Sequence, residues 1–146
     1  MSNFVYSNEV QGLDFALSQK KIQGLCLLCF ENERPLGLAL GYLDWLFSGH
    51  FTKLIKTEVL TGKSGQLLYA PVRWNQLNLH FLVVGSGELN TEGQRPAFQE
   101  TLLEKGLQGL QELNLESMGI LKADWNLTGN EKILAAIEKR KVCVLN

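Results

Sequence analysis

Few residues in this chain have types and spacings suited to chemistry. Cys26-Leu27-Leu28-Cys29 is a CxxC. A redox CxxC requires a helix N-terminus, and a zinc knuckle requires a turn and a second ligand pair. Here the motif sits inside the apolar run 24–30, which reads as a buried strand. Positions i and i+3 of a strand face opposite ways. Cys26 and Cys29 are therefore expected to be core thiols, and the only other cysteine, Cys143, also lies in an apolar stretch. Gly62-Lys63-Ser64 has the ending of a P-loop. Thr57 stands where that motif needs its first glycine, and a helix is expected before it where a strand is required. Gly85-Ser86-Gly87 follows a strand as a dinucleotide fingerprint does, yet position 90 is Asn. That loop lies at the carboxyl end of a strand, so Gly85, Ser86 and Gly87, with Gly37, form the candidate ligand loop. His50 and His80 are the only histidines, and no HxH, HxxxH, HExxH or GxSxG pattern occurs. Catalytic, cofactor-binding and metal-ligating residues are accordingly assigned to none, and no cofactor is expected.

The chain has 146 residues, enough for one domain with a core of its own. It is 45% hydrophobic and 20% charged with three prolines, which excludes a disordered or collagen-like chain. Fourteen Lys+Arg face fifteen Asp+Glu, without the basic excess of a protein that works on phosphate backbones, so nucleic acid is not an expected partner. Lys20-Lys21 and Lys139-Arg140-Lys141 read as a solvated face and a helix end. No apolar run reaches the roughly 18 residues of a membrane helix, and no membrane partner is expected. Met1 to Val10 has neither a basic n-region nor an apolar h-region. With the odd cysteine count, this predicts a cytoplasmic, reducing location. Asn126-Leu127-Thr128 is then a chance sequon.

The elements that must position these residues follow from punctuation and periodicity. Phe4 to Ser7 reads as a short strand, and 10–19 is ambiguous. A strand over 24–30 ends in the polar turn Glu31-Asn32-Glu33-Arg34. Pro35 suits the start of a helix from Leu36 to Phe47 that Gly49 stops. His50 to Thr57 is a second short helix. Strands are expected at 66–71 and 79–84, joined by a connection over 74–78. Pro96 opens the longest helix, which runs to about Leu113 with Gly106 and Gly109 placed for close approach. Met118 to Ala123 is a strand. Thr128 and Glu131 form a capping box for a helix to about Arg140, and 142–145 is a last strand. This alternation predicts an α/β sandwich with helices on both faces of a mixed sheet.

The ordered set Leu36-Gly37 through Asp44, Phe51, Gly62-Lys63-Ser64-Gly65-Gln66-Leu67-Leu68 and Phe81-Leu82-Val83-Val84-Gly85-Ser86-Gly87, followed by the helix from Phe98 to Leu113, resembles the N-terminal domain of the leucine (cytosol) aminopeptidase family. The resemblance spans about residues 22 to 123. It implies a macro-domain-like three-layer α/β/α sandwich with a mixed sheet, as a single domain over 1–146. The family's two-metal chemistry lies in a C-terminal domain whose signatures are absent here, so no catalytic or metal residue carries over. True macro domains bind ADP-ribose through an Asn-rich motif. Glu31-Asn32-Glu33-Arg34 follows the first strand instead.

These readings converge on a non-catalytic protein-interaction or oligomerisation module. The alternatives are an N-terminal fragment of a full leucyl aminopeptidase and a small-ligand, ADP-ribose-type binder. The helix from Leu36 is apolar nearly all round, with Asp44 its only charge. A helix over a sheet can bury one stripe. Tyr42, Trp45 and Phe47 are therefore expected at a contact with a second copy, a partner protein or a catalytic domain.

Overall fold

All six residues of β1 (Gly24–Cys29) are buried, and the rest of the protein is arranged about them. The computed structural model describes residues 11–90, 92, 96, 99–127 and 129–145. Two strands run parallel to β1 on either side, β3 (Leu77–Gly85) and β4 (Met118–Leu121). β5 (Cys143–Leu145) adds parallel to β4, and β2 (Leu67–Trp74) pairs antiparallel with β3. The sheet order is β2-β3-β1-β4-β5, mixed as expected.

Alternation along β1 divides the core in two. Leu25, Leu27 and Cys29 face one side, with Phe81 and Val83 of β3. Covering them are α1 (Gln11–Ser18), α2 (Leu38–Leu46) and α3 (His50–Lys56), through Leu13, Leu17, Leu40, Leu43 and Phe51. Cys26 and Leu28 face the other side, with Leu82 and Val84. There α4 (Glu100–Glu112) and α5 (Glu131–Lys139) supply Leu103, Leu107, Leu110 and Ile137. A Cβ at Gly106 would lie 2.3 Å from the Cys26 sulfur, so glycine sets how closely α4 approaches the sheet. No helix among the described residues is long and apolar enough to cross a membrane.

Several boundaries differ from the sequence expectation. The open segment 10–19 contains α1. The helix expected from Leu36 begins at Leu38, because Gly37 is extended and Leu38 is held at φ +49 before regular turns start. Pro35 lies in the preceding connection. The connection expected over 74–78 shrinks to Asn75-Gln76, both at positive φ, which is a type I′ hairpin turn. The longest helix starts at Glu100, and β4 ends at Leu121. α5 is preceded by Asn130, with no side-chain cap bond. Phe4 to Ser7 and Thr128 lie outside the described residues.

The tight turn fixes the register of the β2–β3 hairpin. Two-residue hairpin geometry directs the backbone groups of Leu68, Ala70, Val72 and Trp74 toward β3, a phase continued by the bond from Gly85 N–H to the Gln66 carbonyl. Leu67, Tyr69, Pro71 and Arg73 then point theirs at the open edge. Pro71 has no N–H to offer there, which interrupts the edge as a template for another strand.

The three cysteines are reduced thiols. Cys26 and Cys29 are buried on opposite faces of β1, as expected, while Cys143 is exposed rather than core. Burial, and secondarily the Asp124 carboxylate, push the Cys26 thiol far above its ordinary range. A native sample is therefore expected to titrate one thiol promptly with a bulky disulfide reagent and the other two only on unfolding. Two fast thiols would contradict this arrangement.

Candidate functional site

In an open α/β sheet the ligand crevice lies beyond the carboxyl ends of the parallel strands, where connections diverge to opposite faces. Here that crevice lies beyond β1, β3 and β4. The candidate ligand loop follows β3, and its backbone donors face inward. Gly85 N–H bonds the Gln66 carbonyl at 2.8 Å, Ser86 N–H the Cys29 carbonyl at 2.9 Å, and Gly87 N–H the Gly62 carbonyl at 2.8 Å. The Gly87 carbonyl in turn accepts from Glu31 N–H at 2.9 Å. Gln99 donates to the Ser86 hydroxyl at 2.8 Å.

The loop between α3 and β2 lies over this end of the sheet. Its organiser is Gln66, whose Oε1 accepts from the backbone N–H groups of Thr61 (3.0 Å) and Gly62 (3.1 Å) and whose Nε2 donates to the Val59 carbonyl. Lys105 of α4 bonds the Gly65 carbonyl. Asn32 fastens the connection after β1 to that after β3 by bonding both backbone groups of Leu89.

Gly37 sits in the β1–α2 connection, and its N–H donates to a Glu33 carboxylate oxygen at 3.1 Å. Asp124, after β4, is 2% exposed. One of its oxygens accepts from Ala39 N–H in the first turn of α2, the other from Leu28 N–H in β1, each at 3.3 Å. A helix N-terminus is where an anionic ligand would be held. In α2 two carboxylates of the chain already take the Gly37 and Ala39 donors. All four members of the candidate ligand loop thus direct their N–H groups to the protein itself.

Among the described residues, neither histidine is hydrogen-bonded to a serine or cysteine. His50 packs edge-on against Phe51. His80 stacks on Tyr69, whose hydroxyl lies 2.6 Å from His80 Nδ1 on the exposed side of the hairpin. The sequence reading missed this pair, which becomes visible only once the Asn75-Gln76 turn fixes the register. Among the described residues, no three His, Cys, Asp or Glu side chains come together as a metal would require.

The three residues expected at a contact separate. Tyr42 is a correction: it is buried, and its hydroxyl donates to Asp14 of α1 at 2.5 Å. Phe47 is half-buried against Phe51, Trp74 and Phe81. Trp45 is half-buried and lines a groove of about 540 Å³ between α2, α3 and the β1–α2 connection.

Among known proteins, the chain superposes along nearly its full length on the macrodomain of Mycobacterium tuberculosis DarG. The superposition covers 99% of this chain and 96% of that one, with a TM-score of 0.54 and 13% identity. The fold is macrodomain-like. A tomato leucine aminopeptidase mutant also aligns, over 67% of this chain and 19% of its own, with a TM-score of 0.44 and 17% identity. The chain thus spans about a fifth of that enzyme's length. No protein-family model and no curated protein matches this chain. The likeness to the macrodomain is one of fold.

Proposed function

We propose that this macrodomain-like chain is a non-catalytic module that works by protein contact through its α2–α3 face. The observation that carries the reading is the engagement of the strand-end crevice by the chain itself. A macrodomain-like fold that bound a phosphorylated ligand there would need open backbone donors. Gly37, Gly85, Ser86, Gly87 and Ala39 instead donate within the chain. The α2–α3 groove offers apolar wall in its place, and the interrupted β2 edge disfavours strand addition. The resemblance of the motif order to that of leucine aminopeptidase N-terminal domains supports one specific version, in which the contacted partner is a catalytic metallopeptidase domain.

The test is a photo-reactive amino acid placed at position 45, expressed in the source cells. It is expected to form a protein adduct, whereas the same residue at exposed Lys132 on α5, in the opposite layer, is not. In parallel, ADP-ribose is expected to leave the melting temperature unchanged, because binding only the folded state would raise it. Absence of an adduct at 45, with a melting temperature that climbs with ADP-ribose, would move the assignment to the small-ligand reading.

A further inference from the structure

The α2–α3 groove has a chemical character beyond being apolar. Its walls are Pro35, Leu36, Trp45 and Ile55. Its charged lining is Arg34, Lys56 and Asp44. Asp44 is already committed, since its two oxygens accept from the backbone N–H and the hydroxyl of Thr52, at 2.8 and 2.5 Å. That pair of bonds ties α3 to α2, and the lining sets two exposed cations against one carboxylate, an excess of one positive charge. We infer that the groove receives an acidic, apolar peptide segment of a partner protein, with apolar side chains against Trp45 and Ile55 and carboxylates beside Arg34 and Lys56. The inference rests on the protein-contact reading and names the partner's chemistry.

Charge complementarity selects this occupant over a second copy of the chain. Docking the groove on itself about a two-fold axis would face two linings of the same net positive sign, each with two cations to one carboxylate. Like charges brought together across an apolar, poorly hydrated surface oppose association, whereas carboxylates both steer encounter and fix register.

Selection from a displayed library of random peptides on the immobilised full chain tests this, with the winning sequence remade as a fluorescent peptide. The expected winners combine Asp or Glu with large apolar residues. Lys56→Glu is expected to weaken the remade peptide about tenfold or more, and high salt to weaken the wild-type complex likewise. Arg34 also donates to the Phe30 and Glu33 carbonyls, so Lys56→Glu is the cleaner variant, and its unchanged melting temperature would show intact folding. Trp45→Ser is expected to abolish binding. Winners without an acidic excess, or with affinity indifferent to Lys56→Glu, overturn the inference but spare the contact reading if Trp45→Ser still removes them. Recovery of no peptide sensitive to Trp45→Ser, together with no adduct at position 45, overturns both. A wild type that sediments as a Trp45-dependent dimer would replace the peptide by a second copy.

Discussion

Asp124→Ala is expected to lower the stability of the fold by about 2–4 kcal/mol, a large share of what a domain of this size possesses. The carboxylate is buried and serves two backbone donors that belong to different layers, Leu28 in the central strand and Ala39 in the first turn of α2. Truncation leaves both N–H groups without that acceptor at a buried site. It also removes the negative charge beside the positive end of α2. Asp124→Asn keeps one acceptor oxygen and turns an amide NH2 toward the second donor, so its loss should be intermediate. The same change should ease Cys26 down without returning it to its ordinary range, since burial is the larger cause of its shift. Urea midpoints followed by circular dichroism rank the variants. Equal midpoints for wild type and Asp124→Ala would mean the carboxylate does not bind the layers together.

What the sequence made legible, and what it did not, divides by range of interaction. The central strand was readable because a parallel strand covered on both faces is apolar at every position, and residues 24–30 are. The CxxC could be dismissed as chemistry for the same reason. α4 was readable because Leu103, Leu107 and Leu110 recur at helical spacing, and its glycines from the close approach they permit. α1 was not, since its three buried residues, Leu13, Ala16 and Leu17, are too few to fix a period, and part of its anchorage is a bond to Tyr42 far along the chain. That bond also explains why Tyr42 left the expected contact face while Trp45 stayed half-exposed. The turn at Asn75-Gln76 lacks the glycine that usually announces a type I′ hairpin. At the crevice, Gly85–Gly87 was recognisable as a strand-end loop. Its closure was not, because that depends on Gln66 and on a loop from the other side of the hairpin. Asp124 gave no signal at all. Its partners are 96 and 85 residues away, and no spacing rule links them.

Gly85→Ala is expected to be among the most damaging added methyl groups at the described glycines, costing upwards of about 3 kcal/mol or preventing soluble folding. The reason is space rather than backbone conformation. A Cβ there would lie 2.0 Å from the Lys63 carbonyl oxygen and 2.8 Å from the Gly62 carbonyl carbon, both main-chain atoms that no rotamer change can move. The loop cannot simply retreat, because Gly85 is bonded to it on both sides, donating to Gln66 and accepting from Gly65 at 3.0 Å. Relief therefore requires the 60–66 loop to leave the end of the sheet, uncovering Leu60 and releasing the bond between Gly87 and Gly62. Gly87→Ala is the contrasting case. Its φ of +82 makes alanine strained, but the nearest atom to a Cβ is 3.6 Å away, so only the left-handed conformation is penalised, by about 1–2 kcal/mol. Limited trypsin digestion separates the mechanisms. A dislodged loop presents Lys63 as a new cleavage site in Gly85→Ala, while Gly87→Ala should leave it protected at a modestly lower denaturation midpoint. A Gly85→Ala protein with the wild-type midpoint and a protected Lys63 would show that the loop does not lie against the end of β3. The crevice donors of Gly85 and Gly87 would then be open to a ligand after all.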